Sequence, residues 1–178
     1  FLAGPECEAT RQRKVGIIEA FVDRGIELLN LVVRYNCDDP AHGYQEALHL
    51  LQTSETRPTA IFCYNDYCAF GVYRAAHELG LHIPNDLSVT GFDGIEVGEL
   101  LGPPLTTVSI FPQRQGEEAA RLLIRAIRGE IGPEPAGVII EPKVIIRESV
   151  RDLADAPSGN GHNHLRHASL AMPLDGAS

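Results

Sequence analysis

The chain holds 178 residues, enough for one domain with a real core, and 44% hydrophobic with 22% charged residues is a globular rather than a disordered composition. A formal net charge of −9 leaves no electrostatic footprint for a phosphate backbone, so this segment is not expected to grip nucleic acid itself. No run of about 18 apolar residues occurs, so no membrane span is expected, and Cys7, Cys37, Cys63 and Cys68 lack C-x-x-C spacing and read as reduced small hydrophobes of a cytosolic protein.

Phe1-Leu2-Ala3 reads as the end of a strand that starts upstream, with neither an initiator Met nor a signal peptide, so the sequence is expected to be a fragment. A helix is predicted over residues 10–24, with Val15, Ile18 and Val22 on one side. Thr10 is its predicted N-cap and Gly25 its left-handed C′ residue. Residues 28–33 are a strand candidate. Asp39-Pro40 starts the next helix, because Asp accepts first-turn N–H groups and Pro sits where no donor is needed. That helix carries Ala47, Leu48, Leu50 and Leu51. Residues 59–64 form a nearly continuous apolar run, as in a strand buried on both faces. A helix over 66–79 is closed by Gly80 and Pro84, and 87–92 is the next strand. Pro103-Pro104 marks a loop and 105–110 is extended. Pro112 precedes a helix over 113–128, with Ala119, Leu122, Leu123, Ala126 and Ile127 inward and Gly129 as terminator. Residues 138–140 and 144–146 are extended. From residue 154 periodicity ends, and His162, His164 and His167 read as part of a polar, disordered tail. The repeated β-α order argues for a mainly parallel α/β sheet with right-handed crossovers.

Residues 57–93 are the most informative stretch. Asn65 and Asp66 follow one strand, and Asp93 follows the next. In an open parallel sheet, ligands bind in the crevice outside the carboxyl ends of the strands. Asn65 can accept from one hydroxyl and donate to another, and it also suits a helix N-cap, as Asp66 does. Asp93 can take two hydroxyl donors or act as a turn residue. Asp66 and Asp93 could be imagined as an acid/base pair. Yet there is no Gly-rich phosphate loop, nucleophile elbow or metal-ligand cluster, so neither an enzyme, a cofactor nor a metal is expected.

The run NDYCAFGVYRAAHELGLHIPNDLSVTGFD, the following PPLTTV, and the opening AGP with Arg13-Lys14-Val15-Gly16 resemble the effector-binding core of LacI/GalR-type bacterial transcription regulators. The resemblance spans residues 1–150. It implies a two-lobed fold like that of periplasmic binding proteins. Residues 1–112 would be mainly the second lobe, 113–141 would cross to a first lobe outside this chain, 142–150 would be a closing strand, and 151–178 a disordered tail. It implies a small-molecule effector, a sugar or polyol by default, a homodimer, and DNA binding only through an N-terminal helix-turn-helix absent here. It assigns effector contact to Arg13, Asn65 and Asp93, with Asp66 ranked below Asn65. Asp38 stands where the family often has a stacking aromatic, Ala9 where a hydroxyl residue is usual (Thr10 is adjacent), and Ile110 where a polar residue is often found. A periplasmic sugar-binding protein of a transport system shares the fold and is the alternative.

Overall fold

The computed structural model describes residues 1–132 and 137–152, so the predicted tail lies almost wholly outside the described residues. Short strands line up side by side. Leu2 bridges in parallel to both Arg34 and Cys63. Strand β1 (Ala60–Phe62) pairs in parallel with β2 (Ser88–Thr90), placing Ile61 opposite Val89. Thr90 bridges Thr106 and Asp93 bridges Ser109, both in parallel, carrying the arrangement to β3 (Thr107–Ser109). β3 pairs antiparallel with β4 (Lys143–Ile145). The order is therefore parallel apart from β4, which suits an α/β chain whose strands are joined by helices.

Helices α1 (Glu8–Asp23), α2 (Pro40–Thr53), α3 (Asp66–Glu78) and α4 (Pro112–Ile127) separate these strands. The core joins Leu2, Ile61, Cys63, Leu87, Val89 and Leu105 to the inner faces of α2 (Ala47, Leu50, Leu51) and α3 (Cys68, Ala69, Val72, Ala75, Ala76). Small residues on α3 let the two helices meet closely. A Cβ on Gly71 would fall 2.2 Å from the Pro40 carbonyl oxygen, and one on Gly43 would fall 2.4 Å from that of Cys68. This backbone-to-backbone approach sets the start of α2 against the start of α3, where three candidate residues lie.

Asp39 caps α2 as expected, its carboxylate accepting from Ala41 N and His42 N, with Pro40 at the first helical position. Gly25 and Gly80 are left-handed, at φ 64° and 67°. Other expectations need correction. Thr10 is not the cap of α1: the helix begins two residues earlier, with Cys7 at the N-cap, and the buried Thr10 hydroxyl donates back to Pro5 O at 2.6 Å. Residues 28–33 do not form a strand. Leu28–Asn30 is a turn of 3-10 helix, and pairing begins only at Arg34. α4 itself forms as expected, and among the described residues nothing covers its apolar face: none of its residues is buried, and Leu123, Ile124 and Ile127 are exposed, the state implied for residues that cross to a lobe outside this chain. Residues 138–140 pair with no strand among the described residues, and Ile139 is exposed.

Candidate functional site

The ends of the first parallel strands converge on Arg13. It reaches back from α1 and donates through Nη1 to the Tyr64 carbonyl at 2.5 Å. Its guanidinium carbon lies 4.4 Å from the Tyr64 ring centroid and 3.7 Å from that of Phe92. Such stacking suits a planar, weakly hydrated cation. It leaves most of the five guanidinium donors without an acceptor among the described residues.

Asp93 sits at the end of the β2 segment, half-buried, with φ 105°. A non-glycine residue at positive φ is strained by about 1–3 kcal/mol, and such strain clusters at functional sites. The backbone around it is tied down: Asp93 N donates to Val108 O at 2.9 Å. No hydrogen bond reaches its carboxylate from the described residues. Burial pushes its carboxyl above the ordinary value of 3.8, the Arg13 charge pulls it down, and the Asp66 charge pushes it up.

Asp66 lies beneath the crevice rather than in it. It is fully buried, and both carboxylate oxygens are engaged: Oδ1 accepts from the Thr107 hydroxyl at 2.6 Å and Oδ2 from Ile95 N at 2.8 Å. Its own N–H donates to Phe92 O. Asp66 therefore pins both sides of the Asp93-Gly94 turn. Burial raises its carboxyl above the ordinary value despite the donors, among them Thr107 and Ile95 N, that favour the charged form. Gly91 is part of this fit, since a Cβ there would fall 2.1 Å from Asp66 Oδ1.

Asn65 is the N-cap of α3, accepting from Cys68 N at 2.7 Å through Oδ1. Its amide donates to the Asp38 carbonyl at 2.8 Å. Asn65 thus ties the loop before α2 to the start of α3 and holds Asp38 at the rim, with the Asp38 side chain exposed. The structure brings Arg13 and Asp93 into electrostatic reach of each other and places Asn65 and Asp38 on the adjacent edge.

Cys7 is exposed at the start of α1, whereas Cys37 is buried and its thiol is pushed up to about 12, chiefly by burial. The sequence reading missed Tyr64, which has no motif to announce it. It also missed the approach of Asp38, Asp39 and His42, whose ligand-type atoms lie within 4.8 Å of one another. Asp39 is already engaged there as a helix cap and at 2.6 Å from His42 Nδ1. Two open grooves elsewhere lie between α4 and the segment after it, the larger lined by residues such as Phe111, Arg114, Ile139 and Lys143, and neither shares a residue with the Arg13–Asp93 region.

Residues 1–150 match the family described as a periplasmic binding protein-like domain. The chain is 35% identical over 144 residues to the HTH-type transcriptional repressor PurR of Mannheimia succiniciproducens, a match covering 81% of this chain and 42% of that protein. A regulatory protein of LacI family from Chloroflexus aggregans superposes with a TM-score of 0.73 at 33% identity, covering 84% of this chain and 53% of that one. This chain belongs to the LacI/GalR family. A further LacI family structure, a transcriptional regulator from Enterococcus faecium with bound ribose, gives a TM-score of 0.74 at 28% identity over 84% of this chain and 55% of that one. The chain spans less than half the length of the curated LacI/GalR relative and about half the length of the solved chains.

Proposed function

We infer that this chain is the small-molecule-sensing core of a LacI-type bacterial transcription regulator, with a sugar or polyol as effector. One observation carries the reading. Among the described residues the half-buried Asp93 carboxylate has no donor, yet it stands within electrostatic reach of an Arg13 fork most of whose donors find no acceptor there. A carboxylate takes hydroxyl protons and a guanidinium gives hydrogen bonds to hydroxyl oxygens, so neighbouring hydroxyls of one polyol satisfy both. The bound ribose of the Enterococcus faecium relative supports this class. Asn65 and Asp38 would contribute from the rim, and Asp66 by holding the Asp93 turn.

The regulatory step would be a shift between two lobe orientations, which an effector drives only by its differential affinity, typically about 1–3 kcal/mol. Residues 113–141 would cross to the other lobe, a reading supported by the uncovered apolar side chains of α4. The regulator would be a homodimer, bind DNA through a separate N-terminal headpiece, and act in the cytoplasm without catalysis. Four free cysteines suit a reducing compartment, and no helix among the described residues is long and apolar enough to cross a membrane. Calorimetric titration of the intact protein with D-ribose, D-glucose, myo-inositol and adenine tests the effector class. Saturable binding of at least one polyol is expected. Saturable binding of adenine with no heat from any polyol would overturn it.

A further inference from the structure

Tyr64 is held from several directions at once. Its carbonyl accepts from Arg13, its ring underlies the Arg13 guanidinium, and its face lies against Gly4, where a Cβ would fall 2.6 Å from Cε1 and 2.7 Å from Cδ1 and Cζ. Its hydroxyl faces the exposed Cys7 thiol at 4.0 Å. The ring is only partly exposed, and a side chain at position 4 would collide with it. Phe92 supplies the second ring near the same guanidinium. Arginine normally loses considerable rotamer freedom when it clamps a ligand; here two rings and a carbonyl have removed it beforehand.

We propose that Tyr64 is the positioning residue that makes this site selective, fixing Arg13 beside Asp93 so that the effector is a compact polyol whose neighbouring hydroxyls engage both groups together. The proposal rests on the polyol reading above. It separates two jobs of one residue. The carbonyl belongs to any residue at this position, whereas the ring belongs to an aromatic one. A phenylalanine therefore keeps the platform, and an alanine leaves the guanidinium over Phe92 alone. Losing the platform has a second consequence. Asp93 is faced by Arg13 from α1 and by Asp66 from α3, the first favouring its charged form and the second disfavouring it. With one ring gone Arg13 is held less closely, its pull on Asp93 weakens against burial and the Asp66 charge, and Asp93 takes up its proton at a higher pH.

The test is calorimetry on the intact protein between pH 4 and pH 8, using whichever of D-ribose, D-glucose or myo-inositol binds most tightly. Tyr64→Phe is expected to bind like the parent. Tyr64→Ala is expected to lose about 10-fold in affinity, with the acid limb of its binding curve moved to higher pH. Circular dichroism checks that both variants are folded. Equal affinity in Tyr64→Ala and the parent would overturn the proposal. So would an equal loss in both variants with no movement of the acid limb, because that pattern marks a merely structural residue. If the parent binds none of the three polyols, the effector class itself fails and the proposal falls with it. Binding that is present but insensitive to Tyr64 sinks the positioning role alone.

Discussion

Arg13 and Asp93 feel each other's charge without joining. The guanidinium favours the charged form of the Asp93 carboxyl, while its resolved hydrogen bond goes to Tyr64 O and its faces to two rings. A pair held near one another in this way leaves donors on one side and acceptors on the other.

Asp93→Asn is predicted to stabilise the protein at neutral pH while removing effector binding. The folded-state pKa of Asp93 is raised above its ordinary value, so its contribution to stability is fully present below 3.8 and is lost as the pH rises through the folded value. At neutral pH the parent therefore carries an unfavourable buried charge that the amide lacks. Thermal melts are expected to give the variant the higher Tm at pH 7, with the difference shrinking as the pH falls toward 3.8.

Thr107→Val removes the hydroxyl that donates to Asp66 Oδ1. A buried acceptor left without its donor costs about 1–3 kcal/mol. Because that hydroxyl favours the charged carboxyl, its loss raises Asp66 further. Urea unfolding is expected to show the deficit at neutral pH and a smaller one in acid, once Asp66 is protonated in both proteins.

Gly71→Ala tests the close approach of α2 and α3. The new methyl would meet backbone atoms, Pro40 O at 2.2 Å and Tyr44 N at 2.4 Å, which cannot swing aside as a side chain can. Overpacking of this kind costs about 1–3 kcal/mol. The shift between the two helices is also expected to disturb the Asn65–Asp38 tie, readable as faster amide exchange at the start of α2.

Asn65→Ala removes the cap of α3 and the bond to Asp38 O together. Loss of the cap alone is worth about 1 kcal/mol. Asn65→Asp keeps an acceptor for Cys68 N but loses the amide donor. It is expected to retain most of the stability and to release the loop carrying Asp38, a difference that chemical denaturation and amide exchange distinguish.

Local chemistry explains what could be read along the chain. Asp39-Pro40, Gly25 and Gly80 mark helix ends because cap geometry is decided by the residues themselves. The parallel order followed from alternation of apolar runs and helical patterns, and Asp93 was visible as a carboxylate after a strand. Thr10 misled because its hydroxyl has a nearer acceptor in Pro5 O than the helix N–H groups, which only the fold of the preceding turn reveals. Residues 28–33 are apolar enough for a strand, but pairing starts only where Leu2 lies alongside, at Arg34. The periodicity of α4 was legible, but periodicity names a face and not its partner, and only the family resemblance pointed to a lobe outside this chain. Asp66 looked like a crevice residue by position, and its burial under Thr107 and Ile95 comes from residues far along the chain. Tyr64 had no signal at all, because its contacts to Gly4, Cys7 and Arg13 are all tertiary.

The most direct test of the sensing site compares effector affinity in the intact parent, Arg13→Gln and Asp93→Asn by calorimetry with the best of D-ribose, D-glucose and myo-inositol. Each variant is expected to lose about 100-fold or more, since each leaves the ligand with one unanswered polar partner in a half-buried site. Parental affinity in both folded variants would contradict the account.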